Sequence, residues 1–139
     1  MLNSLNIGEL IYNTLINNDD LAALVGTKVY PLVANTKKDS TLTASDLMPF
    51  IIYQRDGLSG NGCKDGYYED SIEFSIRIVT AKYLDGISIA NIVRGIFEGS
   101  SITYNNIKTD IIHLTNAFEE YNDNYSAFVQ TLRFNTKIF

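Results

Sequence analysis

A strand followed directly by a helix, each apolar on one side only, constrains the fold of this sequence more than any other feature. In residues 70–80 apolar and polar side chains alternate, which is the period of a half-buried β-strand. From Asp85 to Gly99 apolar residues recur every three or four positions and form one stripe of a helix. Asp85 can cap the start of this helix, and Gly99 suits the left-handed position that ends one. We expect the two apolar faces to pack together as the core. Their members are Ile72, Phe74, Ile76 and Ile78 in the strand and Ile89, Ile92, Val93, Ile96 and Phe97 in the helix.

The N-terminal part of the chain predicts two further helical segments. Residues 5–17 carry an apolar stripe at helical spacing, and Asn6 opens a pattern that resembles a capping box. Asp19 or Asp20 is expected to cap a short second turn of helix, which Gly26 ends.

The remaining segments predict strands that are separated by polar turns. A bulge is expected near residues 111–112, because the apolar side chains change there from odd to even positions. The element order α-β-β-β-α-β-β predicts one α+β domain over residues 1–139, with two helices on one face of a sheet of about four main strands. That sheet is expected to be largely antiparallel, with a mixed sheet as the alternative. The predicted strands are residues 28–30, 50–55, 70–80, 107–118 and 125–138, with a polar turn at 119–124.

Two polar segments interrupt these elements. Residues 34–47 predict a surface loop, because they are polar and show no sustained period. Residues 57–68 predict a flexible hairpin loop, because glycines recur and few side chains can pack a core. Long loops of this kind are either functional or idle connections, and the sequence leaves both alternatives open.

Composition argues against several classes of function. The net charge is −5, with 16 acidic and 11 basic residues, and the largest basic cluster is the pair at 37–38. This charge distribution gives no footprint of a nucleic-acid-binding protein. Apolar runs fall far short of the roughly 20 residues that a membrane span needs. The N-terminal residues lack the pattern of a signal peptide, and the one cysteine agrees with synthesis in a reducing cytoplasm.

Catalytic chemistry is not indicated. The single His113 and the single Cys63 lie fifty positions apart in the sequence and match no nucleophile or zinc signature. The glycine-rich segment is followed by a strand, whereas a phosphate-binding loop needs a helix N-terminus directly after it. Adjacent acidic residues stand at element ends, where caps or solvated turns explain them. We therefore expect no catalytic residues, no cofactor and no metal.

Tyrosine and the last predicted strand favour an interface. Tyr67 and Tyr68 stand at the rim of the glycine-rich loop, and Tyr121 and Tyr125 flank the last turn. Tyrosine suits interfaces and strand edges equally, because it combines a large ring with a polar tip. The strand over residues 125–138 is apolar on both faces, and an uncovered edge there would need a partner.

Two segments carry a resemblance to a known family. Residues 15–31 hold a helix ending in Leu-Val-Gly, followed by Thr-Lys-Val-Tyr-Pro, and residues 48–54 read Met-Pro-Phe-Ile-Ile-Tyr-Gln. This pattern resembles the tail-completion or tail-terminator proteins of long-tailed phages and prophages, the minor tail protein U-like group. The strand, helix and closing strands that follow are similar to the family's plan. The loop over residues 36–47 looks longer than is usual, and the glycine-rich hairpin is not a fixed family motif.

The resemblance implies a non-enzymatic assembly protein of the virion tail. It implies a ring of identical subunits, expected to be a hexamer, on the head-proximal end of the tail tube, where it stops polymerisation and offers a head-joining surface. The implied partners are other copies of the chain, the major tail tube protein and the head–tail connector, with no sequence-specific nucleic acid and no membrane. Another neck component, such as a head-completion or connector protein, is the alternative, and a small ligand-binding or enzymatic α+β domain is a third reading. The expected assembly contacts are Arg55, Leu58, Lys64, Tyr67, Tyr68, Tyr121 and Tyr125.

Overall fold

The computed structural model describes residues 2–33, 47–62 and 68–139, and these form an α+β fold. In the described residues three α-helices accompany a five-stranded sheet and a separate two-stranded sheet. The helices are α1 (Ile7–Ile16), α2 (Asp19–Val25) and α3 (Tyr83–Phe97), and a 3-10 turn at Ser4–Asn6 precedes α1. The strands are β1 (Val29–Pro31), β2 (Phe50–Gly62), β3 (Tyr68–Thr80), β4 (Thr103–Tyr104), β5 (Ile107–Lys108), β6 (His113–Asn122) and β7 (Ala127–Ile138).

The main sheet has the strand order β1-β2-β3-β7-β6. Strand β1 pairs with β2 in parallel, and the other three pairings are antiparallel. The sheet is therefore mixed and mainly antiparallel. The α+β class is confirmed, with one strand more in the main sheet than the sequence predicted, and the predicted short turn of helix forms α2.

The core lies between the helices and one face of this sheet. Alternate residues of β3 and β7 point to the helices, because successive side chains of a strand point to opposite faces. The strand–helix unit predicted from the sequence contributes the centre of this core. The buried residues are Ile72, Phe74, Ile76, Ile78, Leu132, Phe134 and Ile138 in these strands and Ile7, Leu10, Ile11, Leu15, Leu21, Val25, Ile89, Val93 and Phe97 in the helices.

The opposite face of the sheet is apolar at one end only. A second cluster there contains Phe50, Val79 and Val129 in neighbouring strands, and Leu47 packs against them. The rest of this face carries polar and charged residues, of which Glu73 and Arg133 are exposed, as an open antiparallel sheet allows, whereas Ser75 is buried. We call it the open face.

The N-terminal helix caps differ from the predicted ones. The side chain of Asn18 accepts a hydrogen bond from the backbone N–H of Leu21 at 3.0 Å, so Asn18 caps α2. Asp19 and Asp20 lie in the first turn of that helix instead. Asn6 precedes α1 but makes no side-chain cap hydrogen bond. It is the last residue of the 3-10 turn, which leads directly into α1 in place of a capping box.

Helix α3 begins two residues earlier than the predicted cap. Lys82 occupies the N-cap position in extended conformation, and Asp85 lies in the first turn, where its charge still faces the positive end of the helix dipole. The predicted glycine ends are confirmed, because Gly26 and Gly99 both have positive φ, at 61° and 77°.

The glycine-rich segment is mostly strand, so the prediction of a loop over residues 57–68 is wrong at both ends. Residues 57–62 of β2 pair in antiparallel register with residues 68–73 of β3. Backbone hydrogen bonds form this ladder along its whole length, and of its apolar side chains Leu58 and Ile72 pack against the core. A bulge between Arg55 and Gly57 separates this outer ladder from the inner one. Residues 63–67 and the predicted surface loop, apart from Leu47, lie outside the described residues.

The C-terminal strands also have other bounds than predicted. The segment predicted as one strand over 107–118 is divided into β5 and β6, and the bulge lies between Leu114 and Asn116 rather than at 111–112. Strand β6 continues to Asn122, through most of the predicted polar turn. Strand β7 pairs on both sides, with β3 and β6, so the prediction that the last strand has an uncovered edge is wrong.

Candidate assembly surfaces

Strand β6 forms one edge of the main sheet. It pairs with β7 on one side, and none of the described residues pairs with its other side. All ten of its residues are exposed or half-buried. It contains no proline, lysine or arginine, which often protect an edge strand from pairing, and its charged residues are Glu119 and Glu120. Its outer backbone groups are therefore available to a further strand.

An aromatic group lies beside one end of β6, on the helix side of the sheet. The ring of Phe128 is 4.9 Å from that of Tyr121 and 5.6 Å from that of Tyr83, measured between centroids. Leu84, next in the chain to Tyr83, has 73% of its surface exposed, and Tyr121 has 50%. A patch of exposed apolar and aromatic side chains on a charged surface is typical of a contact site between proteins. We call these four residues the aromatic patch.

A hydrogen-bonded carboxylate connects this patch with β6. The Tyr83 hydroxyl donates to Glu119 Oε2 at 2.8 Å, and Gln130 Nε2 donates to the same oxygen at 2.9 Å. The hydrogen bond from Gln130 and that from Tyr83 lower the pKa of Glu119. The bond to Glu119 in turn raises the pKa of Tyr83. The negative charge of Glu119 is thus fixed in position at the edge of the sheet.

The opposite edge of the sheet is covered over only three residues. Strand β1 pairs with residues 51–53 of β2, and Leu32 N–H adds a hydrogen bond to the Tyr53 carbonyl at 2.9 Å. Among the described residues no strand pairs with β2 beyond that point. We call residues 54–62 of β2, with their unpaired side, the distal β2 edge. Arg55, whose Nη1 donates to the Leu5 carbonyl at 3.0 Å, is exposed there.

The open face holds a cleft of about 430 Å³ that has no arrangement of catalytic groups. Asp56 accepts hydrogen bonds from Gln54 at 2.8 Å and from Ser75 at 3.2 Å. The Arg133 guanidinium lies over the ring of Phe118, 5.1 Å from its centroid. Both groups therefore have structural partners. The cleft is lined by Asp56, Glu73, Thr115, Asn116, Arg133 and Phe134.

Neither a group of metal-ligating side chains nor a membrane-spanning helix is found in the residues that the structure describes. Among residues 2–33, 47–62 and 68–139 no group of three or more His, Cys, Asp or Glu side chains could hold a metal ion. In the same residues no helix is long and apolar enough to cross a membrane. His113 is an exposed residue at the start of β6.

The predicted contact residues fall at two separate places. Tyr121 and Tyr125 both lie in the β6–β7 hairpin, and Tyr125 exposes 57% of its surface in the turn. Arg55 and Leu58 lie on the distal β2 edge, where Leu58 is half-buried against the core. The sequence prediction thus chose residues from both edges of the sheet.

The other three predicted contact residues, Lys64, Tyr67 and Tyr68, lie at or beyond the ends of the described strands. Tyr68 is the first residue of β3, opposite Gly62, and Lys64 and Tyr67 lie outside the described residues. Sequence reasoning missed Tyr83 and Leu84 of the aromatic patch. Their position in the sequence could have indicated them. Both precede the first residue of the buried stripe of α3, so neither belongs to the part of the helix that packs in the core.

The fold is similar to that of a protein from a virus-like particle. A chain from the structure entitled "Virion of native gene transfer agent (GTA) particle" superposes with a TM-score of 0.75 at 19% sequence identity. The match covers 94% of this chain and 92% of that chain. No protein-family model and no curated protein matches the sequence.

Proposed function

We propose that this protein is a non-enzymatic structural component of a phage, prophage or phage-derived particle. The observation that carries the proposal is the fold similarity to the gene transfer agent virion chain, which extends over nearly the whole length of both chains. Two chains that share only a local motif would superpose over a part of their length, whereas this superposition includes both the helices and the sheet. Because fold alone does not determine function, the surfaces described above have to agree with the proposal. Two different exposed edges are what a repeating assembly needs.

Within such a particle, the role we propose is that of a tail terminator at the head-proximal end of the tail tube. Its support is the pair of segments that resemble tail-completion proteins. These segments are neighbours in the fold, because Val29, Tyr30 and Pro31 pair in parallel with Ile51, Ile52 and Tyr53. They therefore belong to one structural unit at the same edge of the sheet.

In this role the chain forms a closed ring of identical subunits, for which we propose six copies. A ring built by a head-to-tail contact uses one patch on each subunit to bind a different patch on the next. One flat side of the ring binds the major tail tube protein and stops its polymerisation, and the other side binds the head–tail connector. The protein then resides in the tail of the finished virion.

The second candidate is another neck component, such as a head-completion or connector protein. The similarity to a virion chain fits both candidates equally, and they differ in what the tail looks like without the protein. A ligand-binding or enzymatic domain is less well supported, because Asp56 and Arg133 in the cleft on the open face already have partners in neighbouring side chains outside it.

Deletion of the gene from the phage or prophage that encodes it tests the proposal. Electron microscopy of the lysate should show tail tubes longer than normal and without heads, and expression of the wild-type chain should restore normal particles. Tails of normal length without heads would favour another neck component. Normal, complete particles would contradict both. Alanine at Glu73 or Arg133 in the cleft serves as a control, since each variant should restore normal tails if the cleft has no catalytic role.

A further inference from the structure

Among the described residues the main sheet has two edges that lack a pairing strand, and these edges have matching lengths. Strand β6 offers ten residues, and the distal β2 edge offers residues 54–62. In an antiparallel ladder each residue contributes one hydrogen bond on average, so such a pairing would form at most about nine, less those lost at the bulges after Arg55 and Leu114. A typical interface between proteins has about ten direct hydrogen bonds. The two edges are therefore long enough for a specific contact.

The strand directions make the two edges compatible. The neighbours β2, β3, β7 and β6 are antiparallel throughout, so β2 and β6 run in opposite directions. If a second copy is placed beside the first in the same orientation, its β2 runs opposite to β6 of the first copy. The alternation of directions then continues through the contact without interruption. A contact of β6 with β6 would also be antiparallel, but it would need the second copy to be turned around.

The charges on the helix side of the two edges are also complementary. The carboxylate of Glu119 lies on the helix side of β6, because its neighbour across the ladder, Gln130, contacts α3 from that side. Arg55 is opposite the buried Phe74 and so lies on the helix side of β2. In a continued sheet these opposite charges share one side, where cross-strand pairs of opposite charge are favourable.

We infer that β6 of one copy of this chain pairs antiparallel with the distal β2 edge of the next copy, so that the main sheets of neighbouring subunits join into one sheet. This inference rests on the proposed function for the existence of a ring, and it adds which edges make the contact. The contact is heterologous, since the two partners use different strands, and it can therefore repeat until a ring closes. The aromatic patch stands beside β6 and is covered by the neighbouring subunit.

Proline substitutions that block one edge at a time test the inference. In an edge strand one of two adjacent N–H groups points to the neighbouring strand and the other points outward. Ala117→Pro and Phe118→Pro are therefore made for β6, and Ser59→Pro and Gly60→Pro are made for β2. Circular dichroism and thermal unfolding select, from each pair, the variant that keeps the native fold. That variant has lost an outward N–H group and presents a proline ring to the partner.

Sedimentation velocity at rising concentration then measures association, up to about 1 mM so that contacts of millimolar affinity are detected. The wild-type chain should form species larger than a dimer. Each selected variant should be monomeric alone, and an equimolar mixture of the two should form a dimer, because one intact β6 and one intact distal β2 edge remain. A variant with both prolines should be monomeric in every mixture.

Three results would overturn the inference. They are a wild-type chain that stays monomeric at all concentrations, a selected variant that still associates with itself, and a mixture that stays monomeric. The test is independent of the deletion experiment on tails. Tubes of wrong length in the deletion strain together with a monomeric mixture would reject the edge pairing and keep the terminator role. Normal particles together with a dimeric mixture would reject the terminator role and keep the edge pairing.

Discussion

The ring of Phe74 in β3 stacks on that of Phe134 in β7, with centroids 5.3 Å apart and planes inclined by 24°. Phe97 of α3 approaches both rings, at 5.6 Å and 5.5 Å. All three side chains are fully buried. This contact is where the strand–helix unit apparent in the sequence meets the C-terminal strand, so three elements depend on it.

Phe74→Ala should lower the free energy of unfolding by roughly 3–5 kcal/mol, because it removes a buried aromatic ring and leaves a cavity. Urea unfolding followed by circular dichroism measures the change. Phe118→Ala is the matched control, since Phe118 lies on the open face of β6 and is 40% exposed. A similar loss in both variants would show that the Phe74 cluster is not the centre of the core.

Asn18→Ala should destabilise the protein by about 1 kcal/mol, because it removes the side chain that caps α2. Asn6→Ala should change stability little, since Asn6 makes no cap hydrogen bond. The difference between the two midpoints of urea unfolding tests the assignment of the caps. Equal effects would contradict it.

The same caps show how far sequence reasoning reaches. Apolar periodicity located α1 and α3 correctly, because the buried stripe is set by local spacing, and capping residues together with Gly26 located α2. The cap of α2 was predicted one or two residues late, since Asn18, Asp19 and Asp20 are all good caps and only the backbone conformation selects one.

Strand pairing was harder to predict than periodicity. The apolar face of β7 was correct, but its place between β3 and β6 depends on contacts that are distant in the sequence. The ladder at Gly57 and Gly60 was missed for another reason. Of residues 57–62 only Leu58 packs against the core, and the backbone hydrogen bonds of the ladder leave no pattern in the side chains. For the candidate site, the sequence predicted Tyr121 and Arg55 as contact residues. That they lie at opposite edges of one sheet follows only from the strand order.

Gly26→Ala and Gly95→Ala should change stability in opposite directions. Gly26 has a φ of 61°, which a residue with a Cβ adopts only with strain, so alanine should cost about 1 kcal/mol or more. Gly95 lies within α3 and a Cβ there meets nothing within 4 Å, so alanine should stabilise by about 0.5–1 kcal/mol. Thermal unfolding of both variants measures the signs. A stabilising Gly26→Ala would contradict the backbone conformation at the end of α2.

Gln130→Met should raise the pKa of Glu119 toward its ordinary value, and Tyr83→Phe should raise it by less, because the bond from Gln130 is the larger cause of the shift. A group whose pKa is lowered by folding adds stability above its unfolded pKa, and this contribution is lost as the pH falls through the folded pKa. The wild type should therefore lose this contribution at a lower pH than either variant does. Carboxyl-carbon NMR titration follows Glu119 directly. Glu98, whose pKa is lowered by Arg94 at the other end of α3, is the internal control and should not move.

Tyr121→Ala should weaken association of the chain with itself by about tenfold, which corresponds to about 1.4 kcal/mol. Tyr121 is half exposed beside the edge of β6, and the neighbouring subunit is expected to cover it. The effect on folding should be smaller than that of Phe74→Ala, because the ring packs on one side only, against Phe128. Asn91→Ala, on the exposed side of α3, should leave association unchanged. Sedimentation velocity compares the three proteins at equal concentration. If Tyr121→Ala associates like the wild type, the aromatic patch lies outside the contact and the neighbouring subunit reaches β6 only along its backbone.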